Sequence, residues 1–526
     1  MKTSRRTLAA TLAACALLPL VPTTALAAPP GTDGADRSFT EQRVWFEGFD
    51  KGRIPRGWSF THENTEGMAQ GWEGFTLHTR DEFVQRWGTD LRQSFTRAAG
   101  PMAVVESDQN APTNGSFSSH MKTPMIPVEA GRTYELRFDS HYRQGRGQQS
   151  ADIIMNMPGQ HPQTVLTYDR SAASDNAGKD VASKREVVRF TVPQGAKKVN
   201  FEFNYRDSAN NWFWAIDNVE VVAPLPETSA KPTGVLDVVS DIQGATGNRH
   251  LTDHALPLLN SLPDSADALM INGDIVSQGS TANWEAFTQA LESSQGHRSG
   301  QIFYANGNHE FYGREGSQTY LQRFLKYTGQ EKVWQEQMIG QTPMLVIGSE
   351  GYDYNENTGS GPFVDFSEEQ LTWLEERLAY WKEQRKPVLL FSHYVLDNSV
   401  SGTFINFYRD DFGAHRERFK QLLAENPNVV MLTSHTHWSL RLDDWASEYH
   451  GGSDAWSSKR GPMVVNTGAL ANEYTLGGDY SEVALPGERA SGLRVKTFRD
   501  RIRIEAWDFM SQELIKSIDL PVPRNA

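Results

Sequence analysis

The chain has 526 residues, with 51 lysines and arginines against 65 aspartates and glutamates, a formal net charge of −14. That length permits two or three domains with large cores, while the acidic balance argues against binding nucleic acid or an anionic membrane through bulk electrostatics. A single cysteine excludes a disulfide framework.

The first residues read as an export signal. Lys2, Arg5 and Arg6 form a basic start, and Leu8 to Leu20 is mostly apolar but too short to span a bilayer. Ala25-Leu26-Ala27 is a small-x-small cleavage site, so the expected signal covers residues 1–27 and the mature chain starts near Ala28. Ser4-Arg5-Arg6-Thr7-Leu8 also resembles a twin-arginine signal. Cys15 lies inside this segment, which leaves the mature chain without a thiol. The expected location is secreted, with no later transmembrane segment.

Residues 28–42 are Pro/Gly/Ala/Asp-rich and read as a flexible leader. From 43 to 222 short alternating runs, such as Tyr134-Glu135-Leu136-Arg137-Phe138 and Val199-Asn200-Phe201-Glu202-Phe203, are separated by Gly, Pro and Asn clusters. That pattern predicts an antiparallel β-sandwich. Residues 223–233, with three prolines, form a linker. From 234 to 520 strand-like and helical runs alternate, which predicts an α/β layered domain. Helices are expected over Thr281 to Ser294, Ala414 to Glu425 and after Ser367, where Ser367 and Gln370 fit a capping box ahead of an apolar face of Leu371, Leu374, Leu378 and Trp381. Leu493 to Phe498 and Arg501 to Trp507 read as closing antiparallel strands.

Five strand-like runs in this half each end in metal-binding residue types. Val235 to Ser240 leads to Asp241 and Gln243, Ala268 to Asn272 to Asp274, Ile302 to Ala305 to Asn308 and His309, Val388 to Phe391 to His393, and Val429 to Thr433 to His435 and His437. Ligands in open α/β folds gather beyond the carboxyl ends of strands. The set therefore predicts one crevice with two carboxylates, an amide pair and four imidazoles, an inventory suited to two divalent cations. His435 and His437, two apart, are expected on one face of a strand.

The same blocks resemble the calcineurin-like metallophosphoesterases over roughly residues 234–515. The resemblance implies a four-layer β-sandwich with flanking helices, and two metals drawn from Mn, Fe, Zn, Mg or Ca. One metal would take Asp241, Asp274 and His437; the other would take Asp274, Asn308, His393 and His435. His309 would be the catalytic residue facing a phosphate-ester substrate, attacked by a water or hydroxide bridging the metals. The pattern departs from the family at Gln243, where histidine is usual, and at Ser434, where glycine is usual. Gln243 is either a weaker neutral oxygen ligand or a hydrogen-bond partner of the ligands. Glu310 either orients His309 or caps a helix. Tyr394, Asn406, Tyr408 and Trp438 either line the pocket or pack as core. His250 and His254 are expected on a solvated helix face.

The ends of the N-terminal part, Glu47-Gly48-Phe49-Asp50 with Ile54-Pro55-Arg56-Gly57-Trp58 and Trp212-Phe213-Trp214 running to Val219, resemble cleaved-adhesin and carbohydrate-binding jelly-roll modules. That resemblance implies adjacent first and last strands, a structural calcium at Glu47, Asp50 and Asp217, and a possible surface glycan as ligand. Core packing is the better reading of the aromatics. The chain is thus expected to be a secreted binuclear-metal phosphoesterase acting on mono- or diesters. The alternative is a surface-binding or adhesion protein whose metallophosphoesterase domain is catalytically weakened, a reading that Gln243 favours.

Overall fold

The structure, a computed structural model, describes residues 42–64, 72–98, 100–107, 116–145, 148–168, 181–226, 228–449, 461–477 and 481–522. The expected signal peptide, its Cys15 and nearly all of the leader lie outside these residues.

Two six-stranded antiparallel sheets make up the N-terminal part. Alternation along each strand turns one row of side chains inward. On the strand Lys198–Ser208, Val199, Phe201, Phe203 and Tyr205 join the core while Glu202 and Arg206 do not. The first strand, Gln42–Glu47, pairs with the last, Phe213–Ala223, bringing Glu47 opposite Val219. Phe49, Trp58 and Trp214 are buried in this core, so these aromatics pack the sandwich and do not form a sugar-stacking platform.

The C-terminal part stacks two further six-stranded sheets with helices outside each. One sheet runs Ile302–Ala305, Ala268–Asn272, Gly234–Val239, Ser491–Thr497, Arg501–Asp508, Glu513–Pro521. The other runs Gln335–Ile339, Thr342–Val346, Val388–Phe391, Val429–Thr433, Met463–Asn466, Ala446–Glu448. Period-two side-chain alternation builds the layers. Leu236, Val238 and Met270 face the other sheet, meeting Met344, Leu389 and Leu432. Val239, Leu269 and Ile271 face Leu256, Trp284 and Phe287 on helices. On the far side Val388, Leu390 and Met431 pack on Leu371, Leu374 and Leu378 of the helix Glu368–Glu383 and on Phe419 and Leu423 of Arg416–Glu425. No helix of the described residues is long and apolar enough to cross a membrane.

Ser367 caps its helix by accepting from the Gln370 N–H at 3.2 Å. The Gln370 side chain does not complete the expected box. It pairs with both the N–H and C=O of Gly348, while Glu350 takes the Ser367 N–H. A neighbouring loop thus captured the groups that a capping box would have used.

One charged network sits inside the sheet that carries Asp241. Asp237, fully buried on the strand Gly234–Val239, receives Arg494 Nε at 2.7 Å and Nη2 at 3.0 Å from its register partner on the next strand, and His297 Nε2 lies 2.9 Å away. Arg494 also donates to the carbonyls of Leu259 and Pro263. Removing one partner of a buried pair strands the other charge in a low-dielectric interior. Asp237→Ala is expected to cost about 3–5 kcal/mol, read from the shift of the denaturant midpoint; a change below the error of the measurement would mean the charges are already screened.

Candidate metal centre

Each of the five strand-like runs ends at the same edge of its sheet, and one amide holds the two edges together. Asn272 Nδ2 donates to the carbonyls of Ser392 and Leu432 and to Ser434 Oγ, at 3.1, 3.3 and 3.0 Å. Its own carbonyl accepts from Ser434 Oγ at 2.6 Å and faces His393 Nδ1 at 2.9 Å. Ser434, which stands where the family usually has glycine, therefore uses its hydroxyl to brace the site.

The chain turns abruptly just past these strands. Asp241, Gln243, Asp274, His435 and His437 all have φ between 46° and 68°. Left-handed backbone costs a non-glycine residue of order 1–3 kcal/mol and persists only where the surroundings enforce it. His435 and His437 are thus not on a strand, as their spacing suggested; they follow Val429–Thr433 on a bend and point into two different ligand groups. Space is as restricted as conformation: a Cβ at Gly307 would lie 2.2 Å from Asp274 Oδ1, and one at Gly273 would lie 2.6 Å from His393 Nδ1.

Two buried groups result. Asp241, Asp274 and His437 bring ligand atoms within 4.8 Å of one another, and so do Asp274, His393 and His435. Asp274 belongs to both. Asn308 Oδ1 joins the second at 3.2 Å from His393 Nε2. Gln243 Nε2 donates to Asp274 Oδ2 at 2.8 Å and lies 3.0 Å from His437 Nε2, so this side chain touches the first group directly. His309 belongs to neither set, although its Nε2 lies 3.8 Å from Asp274 Oδ2. Its backbone N–H donates to Asp274 Oδ1, its Nδ1 faces the Ser277 carbonyl at 2.9 Å, and its ring is a quarter exposed and packs on Tyr312.

The donor set fits cations on its own chemistry. His437 Nδ1 faces two oxygens of Asn472 and so carries the proton, which leaves the Nε2 lone pair 3.0 Å from Asp241 Oδ1. His393 Nδ1 is likewise committed to the Asn272 carbonyl, and Nε2 faces Asp274 Oδ1 at 3.3 Å. Both Asp241 oxygens and His435 Nε2 are buried without a hydrogen bond. Lone pairs aimed at one another are stable only around positive charge, supplied by metal ions or by extra protons. Without a metal, burial pulls the His393 pKa down but the Asp274 carboxylate overrides it and pushes the ring up to about 10. Burial likewise opposes Asp241 at His437, whose pKa ends above its ordinary value.

Glu310 neither orients His309 nor caps a helix by its side chain. Its buried carboxylate accepts four backbone N–H groups, from Asp274, Ile275, Val276 and Gly307, at 2.6–3.2 Å. It clamps the Asp274 loop to the Asn308 loop, a role with no local sequence signal. Tyr312, missed from the sequence, accepts from Asn308 Nδ2 at 2.7 Å. Tyr394 is buried; Tyr408 and Trp438 are buried and both donate to Glu482. These are packing residues; the side chain of Asn406 lies outside the described residues. Instead Phe407, 45% exposed, lies across the His435 ring. His250 is buried against the Leu470 carbonyl, not on a solvated face. Glu47 accepts from the Phe49 N–H and Asp217 from the Asn218 N–H; among the described residues these and Asp50 do not form a third close ligand group.

Two facing sheets with helices outside and ligand groups at their strand ends define a metallophosphoesterase fold. Residues 235–439 match the sequence model of the calcineurin-like phosphoesterase family. No curated protein matches the chain. Among solved structures it is similar to a dimetal phosphatase from Danio rerio, at 13% identity over 56% of this chain and 100% of that one, with a TM-score of 0.39. It is also similar to the K1 cleaved adhesin domain of Lys-gingipain from Porphyromonas gingivalis W83, at 14% identity over 35% of this chain and 99% of that one, TM-score 0.23. A third similarity is to TmCBM61, solved with β-1,4-galactotriose, at 10% identity over 34% and 94%, TM-score 0.22.

The His393 shift has a definite sign. Because the folded pKa lies above the ordinary 6.5, the proton on His393 stabilises the metal-free protein fully below that value, and this contribution is lost as pH rises toward about 10. A metal must displace that proton, so affinity should rise with pH across the same window. Calorimetric titration at pH ~7.5 in buffers of different ionisation enthalpy should show release of at least one proton per chain; metal binding without proton release would remove His393 from the ligand set.

Proposed function

We propose that residues 234–520 hydrolyse phosphoric mono- or diesters at a pair of divalent metal ions. Asp241, Asp274 and His437 would hold one, and Asp274, Asn308, His393 and His435 the other. The observation that carries this reading is that one buried carboxylate, Asp274, belongs to both ligand groups. Bound there, two divalent cations would supply Lewis acidity and a water that ionises near pH ~7.

The chain's own residues account for the rest. Asp241 and Asp274 return two negative charges to a site receiving four positive ones, which leaves it attractive to a phosphate ester. Asn272 and the Glu310 clamp hold the ligand loops at fixed separation. His309 has Nδ1 committed to Ser277 and Nε2 3.8 Å from Asp274 Oδ2 on a side chain that is a quarter exposed, beside the metal ligands, where it would meet a phosphoryl oxygen or the leaving alkoxide. Phe407, lying across His435, supplies an exposed apolar wall beside it. Export through the N-terminal signal would place the enzyme outside the cell.

Elemental analysis of purified protein beside turnover of an aryl phosphomonoester and an aryl phosphodiester under several metals tests the whole reading; a fully folded, metal-supplemented protein that retains no metal would sink it. Asp274→Asn should lose both turnover and most bound metal. His309→Ala should retain its metal while kcat falls by roughly 10²–10⁴-fold; if it loses the metal instead, His309 is a ligand. Gln243→His should tighten the metal held by Asp241 and His437, and unchanged affinity in a metal titration would place Gln243 outside the coordination sphere.

A further inference from the structure

A cleft of about 470 Å³ lies where the sandwich meets the phosphoesterase portion. The sandwich lines it with Arg80 and Arg97, the other side with Arg409, Arg416 and Lys420. Asp81 and Asp397 are the carboxylates in its wall. Five cations against two acids are concentrated here in a chain whose formal charge is −14. A second cleft between the same two parts, about 360 Å³, shows what a compensated interface looks like. There Arg43, Arg137 and Arg185 are matched by Glu220, Glu135 and Asp139 within 3.3 Å, and Arg97 lines both clefts.

The basic cleft is not matched in this way. Lys420 is paired with Asp397 at 2.8 Å, and Arg416 with Glu417 at 3.2 Å. The described residues give no ion pair to Arg80, Arg97 or Arg409, whose guanidiniums donate to backbone carbonyls instead: Phe95 for Arg80, Ser183, Asp443 and Ala446 for Arg97, and Phe404 for Arg409. Burial lowers the pKa of Arg80 and Arg97, and at Arg80 the charge of Arg409 adds to that while Asp81 opposes it. Carbonyls fix the planes of these guanidiniums; Asp139, Asp444 and Asp443 offset the charge of Arg97, while Arg80, beside Asp81 and Asp397, and Arg409 have no ion pair among the described residues, an arrangement suited to bidentate capture of an oxyanion by those two.

We propose that this cleft is a second oxyanion site, in which Arg80 and Arg409 grip a phosphate or sulfate group while Arg97 anchors the wall. Arg409 follows Tyr408, whose ring stands edge-on to His435 at 5.3 Å between centroids, so a bound anion sits next to the loop that walls the strand-end centre. The group is either a free ion or the distal phosphate of an extended anionic substrate.

Equilibrium dialysis of labelled inorganic phosphate against the full-length, metal-loaded protein tests this. The double variant R80Q/R409Q should lose one equivalent of bound phosphate relative to the unmodified chain, with affinity at that site at least tenfold weaker. Aryl phosphate turnover should stay within about twofold, since neither residue touches the strand-end groups. R409Q alone, with an unchanged melting temperature, serves if the double variant fails to fold. The readout does not depend on catalysis: Asp274→Asn should remove phosphate at the metal centre and leave this equivalent in place. A KM increase confined to a linear polyphosphate substrate identifies the distal phosphate of a substrate as the occupant; lost phosphate binding with both KM values unchanged identifies the free ion. Retention by R80Q/R409Q and by R409Q of every equivalent bound by the unmodified chain would overturn the proposal.

Discussion

The C-terminal part is organised around acceptors that face acceptors. At its strand ends, carboxylate oxygens and imidazole lone pairs are packed against one another out of water, and both Asp241 oxygens and His435 Nε2 have no hydrogen-bond partner. Such a cluster repels itself unless positive charge fills it. Its existence therefore implies a scaffold stiff enough to hold the arrangement. The structure supplies one in the buried Asn272 amide between the two sheet edges and in the Glu310 carboxylate beneath four amide N–H groups.

That scaffold relies on residues that never meet a substrate. Glu310 and Asn272 set where Asp274 and His393 lie, and Asn472 fixes which nitrogen of His437 faces Asp241 and Gln243. The five left-handed residues show the same economy: strain is tolerated at the turns because hydrogen bonds between the Asp241, Asp274 and Ala471 loops leave the backbone no other course.

Much of this was legible in the sequence because the strands advertise themselves. Val388–Phe391 and Val429–Thr433 occupy the expected positions, since a fully buried parallel strand must be apolar throughout and must end where a polar residue begins. Asp241, Asp274, His393, His435 and His437 converge for the same reason. What escaped was long-range pairing. The strands Gln335–Ile339 and Glu513–Pro521 are mixed in polarity and mostly half-buried or exposed, so neither shows an apolar run or a clean alternation. Glu310 reads as an orienter of His309 or a helix cap because nothing nearby in sequence predicts a carboxylate reaching Val276, and His250 reads as solvated because its partner, Leu470, is 220 residues away. The capping box at Ser367 failed on the same ground, local grammar yielding to the Gly348 loop.

The seam between the two parts carries a consequence for how they evolve and fold. Arg97 reaches out of the sandwich to the carbonyls of Asp443 and Ala446, and Thr96 donates to Asp444, whose other oxygen receives Ser401. Ser401 and Asp444 thus belong to the segments that surround the Trp438 and Tyr408 packing. A chain shortened to its C-terminal part would present those carbonyls and one Asp444 oxygen to water with their donors gone, so the sandwich acts as a piece of that part's own wall and cannot be exchanged like a bead on a string.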